Sequence, residues 1–336
     1  MAQVLLIALI VQQFMPMPAE STETLEDRTE QVERDIRAVF GKLQEGAIGP
    51  GAVLSELRRA GVPRAFLAIG ALQAMAMCAG VAGLLLLAGL HAFGIRLRPR
   101  GNWAPGTPWL PLDAVEIVLF FGCCQMILGA ILALILGGAS GAATVVMSPL
   151  GLSAIYLAAA LATIALLTRR TAGGLSRLWR AVRARVAPVA LRLLQGAGGY
   201  AVALPLIVAS RYLNPFGGDG PSSNPVISML MGRQSTIAWI VFLVVIGLCA
   251  PVFEELVFRA CLYPAFRRRW GVGVAIVTNG LLFGAIHGQL PEFVPLAVLG
   301  IVFAVLYEMT GSLLPCIVAH AAVNSITLVQ LMVLGG

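Results

Sequence analysis

Glu254 and Glu255 stand side by side in a stretch that otherwise reads like lipid. Residues 240–250 before them carry no charge, and Ala260-Cys-Leu-Tyr263 follows. An ionised side chain at membrane depth costs on the order of a few kcal/mol, so it is normally paired and marks a functional place. Of the three histidines, His287 and His320 fall in the next two apolar segments, and Asn324 follows His320 by four residues. That spacing puts His320 and Asn324 on one helix face, as it does Phe283 with His287 and Glu255 with Arg259. The last pair has ion-pair spacing with the acid on the favourable N-terminal side, which leaves Glu254 to point elsewhere. A carboxylate in a dry cavity can take and return a proton. Beside a histidine it can activate water, while a second histidine and an amide donate to a developing oxyanion. Such a set hydrolyses a peptide bond without a covalent intermediate. No serine sits in a G-x-S-x-G setting.

These side chains depend on helices for their placement. The 336 residues are 59% hydrophobic and 12% charged, against about 25% charged in soluble domains. The apolar runs are continuous rather than alternating, which in a bilayer means helices and not a barrel. The sequence therefore predicts an all-α, polytopic transmembrane bundle with about eight spans. They fall at 65–94, 112–137, 150–168, 197–214, 236–266, 272–289, 292–309 and 313–334. Residues 2–15 form either a short further span or an interfacial helix, since they lack the basic start of a signal peptide.

Depth along the helices brings the polar groups together. Counted from Arg267, Glu254 lies ~20 Å into the membrane, and His287 lies ~25 Å in from Trp270. From Gly311, Asn324 lies ~20 Å and His320 ~13 Å deep. Pro251 removes a hydrogen bond and predicts a kink whose freed carbonyls require water or neighbours. Gly280, Gly284 and Gly288 read as a small-residue ridge for close helix packing. Glu292 and Glu308 fall at span ends and read as solvated, and His91 reads as interfacial.

The rest of the chain divides at 1–63, 64–235 and 236–334. Within 20–46, Leu25, Val32, Ile36, Val39 and Leu43 recur at helical spacing between charges, predicting an amphipathic helix outside the membrane. Arginine-rich segments at 96–100, 169–193 and 267–269 belong in the cytosol, and the C-terminus and residues 16–63 then fall outside. Residues 174–194 pattern as a basic amphipathic helix suited to anionic lipid headgroups. The net charge of +7 is explained by these loops, and no nucleic-acid-reading motif is present. Six cysteines lie in apolar runs without a CxxC pair, which excludes a zinc-finger reading and gives no disulfide framework.

Three motifs, Glu254-Glu255-Leu-Val-Phe-Arg259, Phe283-Gly-Ala-Ile-His287 and His320-Ala-Ala-Val-Asn324, stand in order on successive apolar segments. In this the chain resembles the CPBP family of intramembrane proteases (CAAX protease / bacteriocin-processing, ABI) over about residues 236–334. The resemblance implies an intramembrane endopeptidase of a bacterial inner membrane acting on a membrane-associated peptide. Its site would comprise Glu254, Glu255, His287, His320 and Asn324, with Arg259 and Phe283 in support. Glu254 and His287 would activate water, and His320 and Asn324 would form the oxyanion hole. No cofactor is required by this chemistry. Were a metal present, Glu254, His287 and His320 are the donors that zinc would take, although no H-E-x-x-H is present. Two other readings use the same residues. One is a catalytically silent binding or immunity scaffold. The other is a proton-coupled transporter, though that class shows paired halves that this chain lacks.

Overall fold

The computed structural model describes residues 26–45, 47–49, 52–92, 111–136, 148–170, 188–216 and 235–335. Among these residues every regular element is a helix. Two lie outside the bundle, α1 (Glu26–Gln44) and α2 (Val53–Arg59). The membrane helices before residue 236 are α3 (Arg64–Ala92), α4 (Pro111–Leu136), α5 (Pro149–Arg170) and α6 (Val189–Tyr212). Then come α7 (Thr236–Val244), α8 (Ala250–Glu255), α9 (Tyr263–Ile286), α10 (Leu290–Thr310) and α11 (Leu313–Gly335). Two π-helical stretches, Val245–Cys249 and Leu256–Leu262, join α7 to α8 and α8 to α9. The apolar segment 2–15 and residues 174–187 of the stretch 174–194 expected to lie at lipid headgroups fall outside the described residues, while 189–194 open α6.

Among the described residues six helices are long and apolar enough to cross a membrane, and Glu116–Leu132 is a shorter apolar one. The protein is an integral membrane helical bundle. The longest of the six, Thr236–Ile286, runs 51 residues and is broken at Gly271, which has φ 81° and ψ 175°. The chain reverses there. Asn279 Nδ2 donates to the Phe258 carbonyl at 3.1 Å, a residue that a straight helix would hold about 30 Å away. Spans 236–266 and 272–289 are thus two rods joined by one glycine.

Local chemistry sets the helix ends. Ser235 accepts from Ala238 N–H at 3.2 Å and caps α7. Ser148 accepts from Gly151 N–H at 3.1 Å, with Pro149 opening α5 behind it. Gly311, at φ 65°, closes α10 in the left-handed conformation.

Close approach of backbones builds the bundle. A Cβ on Gly284 would lie 2.6 Å from the Phe293 carbonyl, and one on Gly280 would lie 2.8 Å from that of Ala297, so α9 and α10 touch backbone to backbone. Gly288 corrects the predicted ridge. It lies beyond the end of α9 at φ 67° with nothing within 4 Å, so it makes the α9–α10 turn rather than the contact. Helix α6 joins the two halves of the chain. A Cβ on Gly80 of α3 would overlap the Ala201 backbone, and Gly196 and Gly199 of α6 lie against Val318 and Ala319 of α11. Gln73 of α3 and Gln330 of α11 add a buried amide pair at 2.7 Å.

Val32, Ile36 and Val39 of α1 pack with Leu57, Val62, Phe66 and Leu67, and with Val333 of α11. The amphipathic spacing therefore buries one face, and α1, α2 and the end of α11 share one side of the bundle. Glu308 departs from the solvated reading. It is 4% exposed, held by Tyr263 Oη at 2.8 Å and by two Arg267 nitrogens at 2.9 Å. Glu292 is paired with Arg211 of α6 at 2.8 Å. A carboxylate at a span end stays out of solvent when neighbouring helices bring a cation to it, which the local sequence does not display.

Candidate active site

Arg259 is fully buried and so is Glu255. Arg259 Nη1 donates to Glu255 Oε1 at 3.0 Å, and Nη2 donates to the Gly300 carbonyl at 2.9 Å. The rings of Phe258, Phe283 and Phe303 lie 5.0–5.5 Å from the guanidinium carbon. The cation is thus matched by a carboxylate, a carbonyl and three aromatic faces, the partners a buried arginine requires.

The same Glu255 oxygen lies 2.9 Å from His320 Nδ1. A carboxylate only accepts, so Nδ1 carries a proton and Nε2 is turned the other way. Nε2 lies 3.8 Å from Glu254 Oε2, too far for a direct hydrogen bond. His320 therefore stands between the two adjacent glutamates, one nitrogen to each. Glu254 Oε2 is itself buried without a hydrogen-bond partner. Its other oxygen, Oε1, accepts from Tyr156 Oη of α5 at 3.2 Å.

His287 caps the end of α9, and its Nδ1 lies 2.7 Å from the Phe283 carbonyl one turn back. A carbonyl accepts, so Nδ1–H donates and Nε2 is left with its lone pair. Phe283 sets both imidazoles, with its ring 5.0 Å from that of His287 and 5.6 Å from that of His320. Phe303 closes the other face of His320 at 5.1 Å.

Asn324 belongs to the consequences of Pro251. Proline has no N–H, so it serves neither Ile246 O in π register nor Gly247 O in α register. Asn324 Nδ2 donates to Ile246 O at 2.9 Å, and Ser325 Oγ to Gly247 O at 3.3 Å. The freed carbonyls expected from Pro251 are satisfied by α11, through a π-helical turn. One N–H of the Asn324 amide is used in this way and one is left for another acceptor.

The structure thus brings Glu254, Glu255, Arg259, His320 and Phe283 into one connected group. His287 joins it through the Phe283 ring. Asn324 sits one helical turn beyond His320, on the carbonyl of Ile246. Among the described residues, no hydrogen bond ties His287 or Asn324 to either glutamate. Nor is any trio of His, Cys, Asp or Glu side chains spaced to share one metal ion. The donors proposed for zinc therefore do not fit a metal as they stand. Tyr156, Ser325 and Asn279 are contacts the sequence did not single out. None of them is one of the motif residues: Tyr156 lies far upstream, Asn279 lies between the first two motifs, and Ser325 directly follows Asn324.

Residues 236–326 match the family model described as type II CAAX prenyl endopeptidase Rce1-like. The segment is similar to that family, and is called the Rce1-like segment for this likeness. It contains all three motifs, from Glu254 to Asn324. A curated relative, "Putative membrane peptidase YdiL" of Bacillus subtilis (strain 168), is 25% identical to this chain over 88 residues. That match covers 26% of this chain and 36% of the relative, so the two share about a third of the relative's length. No solved structure matches. The Rce1-like segment supplies both glutamates, both imidazoles and the amide. Tyr156 lies outside it.

Proposed function

We propose that the chain is an intramembrane endopeptidase that cleaves a membrane-associated peptide with a water activated by Glu254. The observation that carries this reading is the placement of Glu254. Its Oε2 is buried, unpartnered and 3.8 Å from an imidazole whose other nitrogen is fixed by Glu255. A carboxylate so placed can take a proton from water as the oxygen attacks the scissile carbonyl, and return it to the departing amine. His287 Nε2, left as an acceptor by the Phe283 carbonyl, is the second group that can hold that water. The tetrahedral oxyanion then requires donors. Asn324 has one N–H remaining. His320 can donate from Nε2 only with a proton on each ring nitrogen, and each of those nitrogens faces a carboxylate oxygen. The cycle adds water across one amide bond, and both products leave with the protein unchanged.

The family description names CAAX prenyl endopeptidases, so a prenylated C-terminal peptide is one substrate to test beside an unmodified transmembrane peptide. The test is cleavage in proteoliposomes of a fluorogenic farnesylated CAAX peptide and a fluorogenic transmembrane-helix peptide. Wild type is expected to cleave at least one, and Glu254→Gln and His287→Ala neither. Cleavage that survives Glu254→Gln would end this mechanism. A wild type inert on both peptides, yet binding one with the affinity of Glu254→Gln, would favour a silent scaffold. Activity lost to a chelator and restored by zinc would call for a rearranged donor set.

A further inference from the structure

Tyr156 lies on α5, 80 residues before the Rce1-like segment begins at residue 236. Its hydroxyl donates to Glu254 Oε1 at 3.2 Å. Two neighbouring helices hold the ring where that bond forms. The edge of Phe121, from α4, meets it at a centroid distance of 5.5 Å. Phe253, from α8, meets it at 6.1 Å, and Phe121 and Phe253 touch each other at 4.9 Å. Phe253 is also the residue next to Glu254, so one member of the aromatic trio shares a backbone turn with the carboxylate.

The bond has a directional consequence. The last torsion of a glutamate is broad, and its two oxygens are equivalent unless something distinguishes them. Here Oε1 is tied to a hydroxyl that cannot swing, because a phenol oxygen moves only with its ring. Oε2 is then fixed toward His320 Nε2. Glu255 does the matching job on the other side of the imidazole. Its Oε1 is clamped between Arg259 and His320 Nδ1. Each partner across the 3.8 Å gap is thereby oriented by a group behind it, the arrangement that a base and its orienting residue require.

We propose that Tyr156, on a helix outside the Rce1-like segment, is a positioning residue for Glu254 and completes the site from the other half of the chain. The inference rests on the peptidase reading above. It also gives the N-terminal helices a part in the chemistry: they carry the aromatic wall that aims the carboxylate.

The full-length protein in proteoliposomes tests it, with whichever of the two fluorogenic peptides wild type cleaves. Tyr156→Phe keeps the ring and its packing and removes only the donor. It is expected to lower kcat about 10- to 100-fold, the range for a lost hydrogen bond to a charged group, with KM within about twofold. In a Glu254→Asp background the shortened carboxylate has already given up the bond. There the same substitution is expected to cost less than about twofold, because coupled residues are not additive. Phe121→Leu, which loosens the cage and leaves the hydroxyl, is expected to lower kcat by less than Tyr156→Phe. Wild-type kcat in Tyr156→Phe, an equal loss in both backgrounds, or a larger loss in Phe121→Leu would each overturn the proposal. A wild type that cleaves neither peptide overturns the peptidase reading, and this inference with it.

Discussion

In α3 and α4 many of the large apolar side chains face outward, with Leu85 68% and Met126 77% exposed. After residue 236 several phenylalanines turn inward. Phe242, Phe283 and Phe303 are each 0% exposed, and the last two lie against the Arg259 guanidinium. The ion pairs follow the same division. Arg170 and Glu116, joining α5 to α4, are 40% and 50% exposed at the membrane edge, whereas Arg259 and Glu255 are at 0%. An exposed pair is screened and contributes little. A buried one is held by its surroundings, and breaking it leaves a charge that nothing compensates. Apolar composition is the same signal in both regions. In the first it marks a surface for acyl chains, and in the second a dry wall around a site.

The sharpest way to break this contrast is Glu254→Gln. It is expected to reduce cleavage by about 10⁴-fold, yet not to lower the melting temperature in detergent, because Oε2 has no partner to lose. A stability loss without a loss of cleavage would make Glu254 a structural residue. Next comes Arg259→Met, expected to destabilise by about 3–5 kcal/mol in reversible unfolding. Adding Glu255→Gln should recover part of that loss, since it removes the uncompensated charge. Gly284→Val should cost at least about 1–3 kcal/mol, because a Cβ there meets the Phe293 carbonyl at 2.6 Å. Its contrast is Gly288→Ala, where space is open and only the positive φ resists, at about 1 kcal/mol. Smallest of all, Arg170→Gln should leave the melting temperature within experimental scatter. A marked drop there would show that the exposed and buried pairs are not so different.

The spans were legible because a bilayer imposes length and apolarity on each helix separately. Every predicted span has a helix in place, and the three motifs were visible because ionisable residues are rare in such runs. The partners were not legible. Tyr156 and Ser325 carry no local pattern, and their value depends on which helix lies opposite. Gly288 followed the four-residue spacing of Gly280 and Gly284, but α9 ends before it, and spacing alone does not show where a helix stops. Glu308 looked like a span-end carboxylate until Tyr263 and Arg267 were found beside it. Pro251 announced freed carbonyls correctly, while the identity of the groups that satisfy them lay on a helix some seventy residues downstream.

By itself, the sequence determined that this chain lives in a membrane as a bundle of apolar helices, and that two acids, two imidazoles and an amide lie within them; of the eight spans it predicted, six are helices long and apolar enough to cross among the described residues, with Glu116–Leu132 a shorter one. Those properties follow from transfer free energies that act residue by residue. Only the tertiary structure decided that Glu255, besides its expected pairing with Arg259, also serves His320, while Glu254 is held by Tyr156. That choice depends on hydrogen bonds a few ångströms long between helices far apart in the chain, and the register of one helix against another is fixed by packing rather than by any local run of residues.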